Sequence, residues 1–176
     1  MTILKQDFES VVKQHQPMLY RVAFNFLRNV GAAEEVVQEV FLKLYKRLDT
    51  IESAEHIRAW LRRAVTRQCI DASRLGSRRK ESQFEDLPEV VGETPEHDPL
   101  LNERLRRLVG SLPEQQRLIV ILRYGEDLDS EEIGAILNMR PSTVRTQLQR
   151  ALQVLRAKSP QILGEEIHGT IGRKTP

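Results

Sequence analysis

Apolar residues recur every three to four positions over most of this chain, the spacing that places them along one side of an α-helix. Phe8, Val11, Val12, Leu19, Val22, Ala23, Phe26 and Leu27 form a first stripe, with Pro17 inside it. The stretch "RNVG" then predicts a turn, with Gly31 free to supply a left-handed backbone. Val36, Val37, Val40, Phe41, Leu44 and Leu48 make a second stripe on "AAEEVVQEVFLKLYKRL". After a break at "DTIESAEH", a third runs through Ile57, Trp60, Leu61, Ala64, Val65, Cys69, Ile70 and Ala72. Three such helices can close one small core over residues 5–75.

The pattern then changes. Residues 81–103, "ESQFEDLPEVVGETPEHDPLLNE", hold eight acids, three prolines and no lysine or arginine. Like charges repel and proline disfavours helix in its neighbours, so this stretch predicts an acidic flexible linker. Phe84, Leu87, Val90 and Val91 give part of it something apolar to dock with. Helical spacing then returns. Ser111 stands three residues before Glu114 and Asp129 three before Glu132, each with capping-box spacing. "NMR" predicts a short turn, and Pro141 suits the first turn of the next helix, where its missing N–H needs no partner. That helix should bury Val144, Leu148, Ala151, Leu152 and Leu155.

Composition narrows the class. With 30% charged and 5% aromatic residues in 176, the chain favours exposed helices over a β-sandwich. One cysteine, Cys69, allows neither an intrachain disulfide nor a cysteine metal cluster, and its place in the third stripe reads as core. The start "MTILKQDFES" lacks a signal peptide's apolar core, and no apolar run nears the ~18 residues needed to span a bilayer. A cytoplasmic protein without membrane insertion is expected. The four histidines are scattered, no phosphate-cradling glycine loop appears, and no acid, base and nucleophile stand together, so neither enzyme, metal nor cofactor is expected.

Net charge is only +2, so its distribution matters more than its total. From Asn138 to Arg156 there are four arginines and no acid. A helix, a three-residue turn and a second helix opening with small hydroxyl residues is a helix-turn-helix pattern. Arg145, Thr146, Gln149 and Arg150 fall opposite the buried stripe, where arginine can fork onto guanine and glutamine onto adenine. Ser142 and Thr143 are placed for phosphate near the helix start, with Arg140 just ahead. On residues 111–158 alone, a basic helix that meets only water is the alternative. Residues 54–80 carry eight lysines or arginines against two acids, a second cationic surface on which Arg58, Arg62, Arg63, Arg67 and Arg74 project from one helix.

In that order, "AAEEVVQEVFLKLYKRL", "IRAWLRRAVTRQCIDASR" and "LPEQQRLIVILRYGEDLDSEEIGAILNMRPSTVRTQLQRALQVLR" resemble the extracytoplasmic-function (ECF) sigma factors of bacterial RNA polymerase, over roughly residues 5–158. The resemblance implies an all-α protein of two small helical domains. A sigma-2 bundle (1–80) would bind core polymerase and melt the minus-ten element. The linker (81–103) would lead to a sigma-4 helix-turn-helix (104–158) that reads minus thirty-five, and a tail (159–176) would follow. It implies contact with the β′ clamp helices through Glu35, Gln38, Glu39 and Lys43, contact with the β flap, and a possible anti-sigma partner. It also implies capture of opened minus-ten strand by His56, Arg58, Arg62, Arg63, Arg67 and Arg74. Three departures stand out. The flipped-base loop around Ile51–Ala59 has no aromatic residue, so its pocket residues stay open. Arg67 replaces an asparagine frequent in the family, and Gln147 occupies a position often basic. Arg123 is left between flap, DNA and water. A stand-alone helix-turn-helix regulator is the runner-up.

Overall fold

In the computed structural model, which describes residues 8–50, 53–79 and 99–163, the first stripe folds as one helix, α1 (Phe8–Leu27), that continues through Pro17. The turn after it is built differently from the expectation. Arg28, not glycine, takes the left-handed backbone (φ 57°), and Asn29 caps α2 (Val30–Tyr45) by accepting the Ala32 N–H at 2.7 Å. Gly31 therefore lies in the first turn of α2 with no positive φ. A 3-10 turn at Leu48–Thr50 leads to α3 (Ala54–Arg79). Leu19, Val22, Phe26, Val36, Val40, Leu44, Ile57, Leu61, Val65 and Cys69 are buried where these helices meet. Burial pushes the Cys69 thiol up to about 12, so it stays neutral and unreactive at ordinary pH.

The second half comprises α4 (Pro99–Gly110), α5 (Glu114–Val120), a π-helical turn (Ile121–Gly125), α6 (Ser130–Leu137) and α7 (Pro141–Leu163). Helix α4 begins inside the stretch expected as linker, because Pro99 opens a helix here; the expectations on residues 80–98 and 164–176 lie outside the described residues. The Ser111–Glu114 capping box does not form. Ser111 Oγ donates to the Leu108 carbonyl, Pro113 is the N-cap of α5 without a side-chain bond, and the Glu114 carboxylate accepts from Ser73 on α3. Asp129 and Glu132 do form theirs, with bonds of 2.8 and 2.9 Å at the start of α6. Asn138 makes the left-handed turn into α7 (φ 54°). Gly134 lets that turn close, since a Cβ there would sit 2.6 Å from the Met139 carbonyl oxygen.

No strand occurs among the described residues, and none of the helices is long and apolar enough to cross a membrane. The two halves share one core: Leu118, Ile119, Ile121, Leu122, Leu128, Ile133 and Val144 join the cluster built by α1, α2 and α3.

Candidate nucleic-acid interface

On α7 and the turn before it, Arg140, Ser142, Thr143, Arg145, Thr146, Gln149 and Arg150 are all exposed. Val144 and Ala151 are buried and Leu148, Leu152 and Leu155 half-buried, so the helix keeps its apolar stripe inward. Two of the outward residues already have neighbours. Arg145 pairs with Glu131 of α6 at 2.6 Å, and Thr146 Oγ1 donates to the Ser142 carbonyl at 3.0 Å. Both partners of the ion pair are more than half exposed, a situation worth little in water and readily exchanged for phosphate. Gln147 belongs elsewhere: its carbonyl accepts from Gln116 of α5 at 3.2 Å, making it a packing residue between helices.

The basic set on α3 divides in two. At about 100° per residue, His56, Arg63, Arg67 and Arg74 fall within about 40° of one another, along ~27 Å of helix. All four are exposed, opposite Ile57, Leu61 and Val65. Arg58 is exposed on another part of the helix surface, while Arg62 points towards the second half. Arg58 acts on the buried His15 of α1, whose pKa is lowered first by burial and then by that guanidinium. Arg62 is mostly buried and donates to the Glu126 carbonyl at 3.3 Å, with its Nε 3.8 Å from the same residue's carboxylate.

Glu35, Gln38 and Lys43 are exposed and Glu39 half-buried on the outer side of α2. Lys43 is held by Gln68 of α3 at 2.7 Å and lies 3.5 Å from Glu39. Sequence reasoning missed the apolar part of this face. Leu42 is 57% exposed among those polar residues, and with Tyr45, Phe8, Val12, Val37 and Phe41 it borders a groove of about 570 Å³. The signal was present: Leu42 falls outside the 3.6-residue stripe that takes Phe41 and Leu44 inward. Arg123 bonds the Leu128 carbonyl at 3.0 Å and so braces its own turn. Among the described residues no group of histidine, cysteine, aspartate or glutamate could hold a metal ion.

Two exposed cationic faces on separate helical halves, the second a helix-turn-helix, are features of the class of DNA-binding proteins. Residues 11–79 match the family model for Sigma-70 region 2, and residues 102–155 that for Sigma-70, region 4. The chain is 31% identical over 145 residues to RNA polymerase sigma factor SigV of Bacillus subtilis, covering 82% of this chain and 86% of that one. It is 33% identical over 156 residues to ECF RNA polymerase sigma factor SigE of Mycolicibacterium smegmatis, covering 85% of this chain and spanning 60% of the relative's length. In fold it is similar to the sigma factor RpoE solved in complex with the anti-sigma factor NepR from Bartonella quintana, with a TM-score of 0.70 at 19% identity over 91% of this chain and 98% of that one. The chain belongs to the ECF family of RNA polymerase sigma factors, which are transcription initiation factors. It recognises promoters and acts with RNA polymerase.

Proposed function

We propose a division of labour along the chain in which three helices make the three contacts of initiation. The outer face of α2, with Glu35, Gln38, Glu39 and Lys43 around the apolar Leu42, docks on the clamp helices of polymerase. The polar residues give direction and the groove beside Leu42 and Tyr45 takes an apolar side chain, the mix usual at the centre of protein interfaces. Arg140, Ser142 and Thr143 position α7 on phosphate. Arg145, Thr146, Gln149 and Arg150 read base edges of the minus-thirty-five duplex, at ~1–3 kcal/mol of discrimination for each good pair. His56, Arg63, Arg67 and Arg74 track the opened minus-ten strand with the exposed Arg58, joined by Arg62 once it leaves Glu126.

Melting follows from binding. Taking a base out of its stack costs a few kcal/mol, and a cationic face that prefers the open strand returns that free energy without a chemical step. The protein is thus a recruiter and not an enzyme, and its place is the cytoplasm, where polymerase and DNA are. An anti-sigma factor is a further expected partner, as for the Bartonella protein. The observation that carries this reading is the row of His56, Arg63, Arg67 and Arg74 on one exposed face, paired in the same chain with the exposed face of α7.

The test is transcription of a genomic DNA library by bacterial core polymerase with and without the purified protein. New discrete starts sharing two upstream elements are expected. Specific duplex binding without core binding or new starts would favour a stand-alone regulator instead.

A further inference from the structure

Gln116 on α5 and Gln147 on α7 share one hydrogen bond, Gln116 Nε2 donating to Gln147 Oε1 at 3.2 Å. One residue earlier, Gln115 donates to the Met139 sulfur at 3.4 Å, in the turn that leads into α7. The bond between Gln116 and Gln147 uses only half of each amide. Gln116 Oε1 is buried without a hydrogen-bond partner, and Gln147 Nε2 donates to nothing among the described residues. An unpaired buried carbonyl costs stability that an apolar side chain in its place would not. Turning both amides over would pair that oxygen but leave the Gln116 N–H pair without an acceptor, and orphaned donors are rarer in native proteins than orphaned acceptors.

The unused donors of Gln147 lie at a definite edge of α7. At about 100° per residue, Gln147 falls about 40° from Thr143 and about 60° from Arg150, both exposed. On its other side, at similar angles, come the buried Ala151 and Val144. Arg145 and Gln149 lie about 160° round the helix from it. A helix in the major groove presents the middle of its outer face to base edges and its flanks to the phosphates that border the groove. Half-buried Gln147 thus stands on a flank, one turn beyond Thr143 and out of reach of the bases that Arg145 and Gln149 meet. Its N–H pair is a neutral donor suited to a phosphate oxygen.

A glutamine side chain in water samples many rotamers, and holding a phosphate would freeze them at a cost in entropy. Here Gln116 fixes the Gln147 side chain before any DNA arrives. We propose that Gln116 is a positioning residue for promoter binding: by holding the Gln147 carbonyl it aims the Gln147 N–H pair at a phosphate on the flank of the minus-thirty-five groove. Such preorganisation of one side chain is worth roughly 3- to 10-fold in affinity. The contact carries no charge on the protein side, so it adds nothing to the release of counterions and tightens binding without steepening its salt dependence. The assignment rests on α7 entering that groove, as the proposed function has it.

Duplexes selected from a randomised pool by the full chain, alone or on core polymerase, supply the probe. A methylphosphonate placed at one phosphate at a time then maps the contacts. One such replacement should weaken binding by wild type and leave Gln147→Ala unaffected, and Gln147→Ala should bind the unmodified duplex about 5-fold more weakly. Gln116→Met, which keeps the length and removes both amide atoms, should cost about 3-fold, with nothing further lost in the Gln147→Ala background. Gln147→Arg in the Gln116→Met background should recover wild-type affinity, with log K against log salt steeper by about 0.9, since a long cation finds phosphate unaided. A purely structural Gln116 would not be rescued in this way. Should Gln116→Met lose helix content, Gln116→Ala takes its place. Wild-type affinity in the Gln116 variant, no phosphate that tells wild type from Gln147→Ala, or a failed rescue overturns the proposal and leaves α7 on DNA. A chain that selects no duplex in either form removes the DNA reading of α7, and the proposal with it.

Discussion

Helices α3 and α7 both carry a surplus of arginine, yet the structure treats the two differently. On α7 Ser142, Thr143, Arg145, Thr146, Gln149 and Arg150 turn outward, and the ion pair of Arg145 with Glu131 is exposed. On α3 four basic residues form an outward row and Arg58 is exposed as well, while Arg62 turns inward to Glu126. An arginine count therefore overstates the free cationic surface of α3. What decides availability is the partner, and the partner of Arg62 is 64 residues away in sequence.

Charge reversal should separate the helices most sharply. Arg145→Glu with Arg150→Glu should weaken binding to a promoter duplex at least ~100-fold, two base or phosphate contacts being lost and two repulsions gained. Arg63→Glu with Arg67→Glu should leave duplex binding by the free protein nearly intact and abolish open-complex formation, read by permanganate reactivity of unpaired thymines. Equal losses from both pairs in the duplex assay would remove the division of labour.

Within α3, the inward and outward arginines should differ in stability. Arg62→Ala leaves the buried Glu126 with one cationic partner and should cost ~1–3 kcal/mol, lowering Tm by several degrees. Arg67→Ala touches only solvent and should stay within ~0.5 kcal/mol. Thermal melts of the two variants side by side check this, and matching values would mean that Arg62 is not held as the structure places it.

The smallest effect concerns His15, buried on α1 within the field of Arg58. Burial first and Arg58 second hold its folded pKa below the usual 6.5, so the unfolded chain takes up a proton more readily. Stability from the neutral imidazole is complete above pH ~6.5 and is lost as pH falls through the folded value. His15→Gln should therefore flatten the fall in Tm between pH 7.5 and 5.5; an unchanged slope would assign that fall to other groups.

Much of this architecture was legible in the chain. The stripes of α1, α2 and α3, the Asp129 cap and the turn into α7 follow from local periodicity and chemistry, and so did the exposed residues of α7. Misreadings arose where local signals are ambiguous or non-local contacts prevail. Pro99 reads as a breaker but opens α4, whose Glu103 lies 3.7 Å from Arg28 of the first half. Ser111 has capping spacing, yet Pro113 starts the helix and Glu114 is taken by Ser73. Gly31 was the obvious left-handed residue, but the chain turns at Arg28 because Asn29 is the better cap. Gln147 and Glu126 carry no sequence sign of their partners, which are fixed only by how the helices pack.

The most direct test of the account is promoter selection from a library randomised across both elements, using polymerase carrying wild type, Gln149→Ala or Arg67→Ala. The account predicts that Gln149→Ala relaxes base preference only in the upstream element and Arg67→Ala only in the downstream one. Weaker binding with unchanged base preference at both elements, or a shift in the same element from both variants, would contradict it.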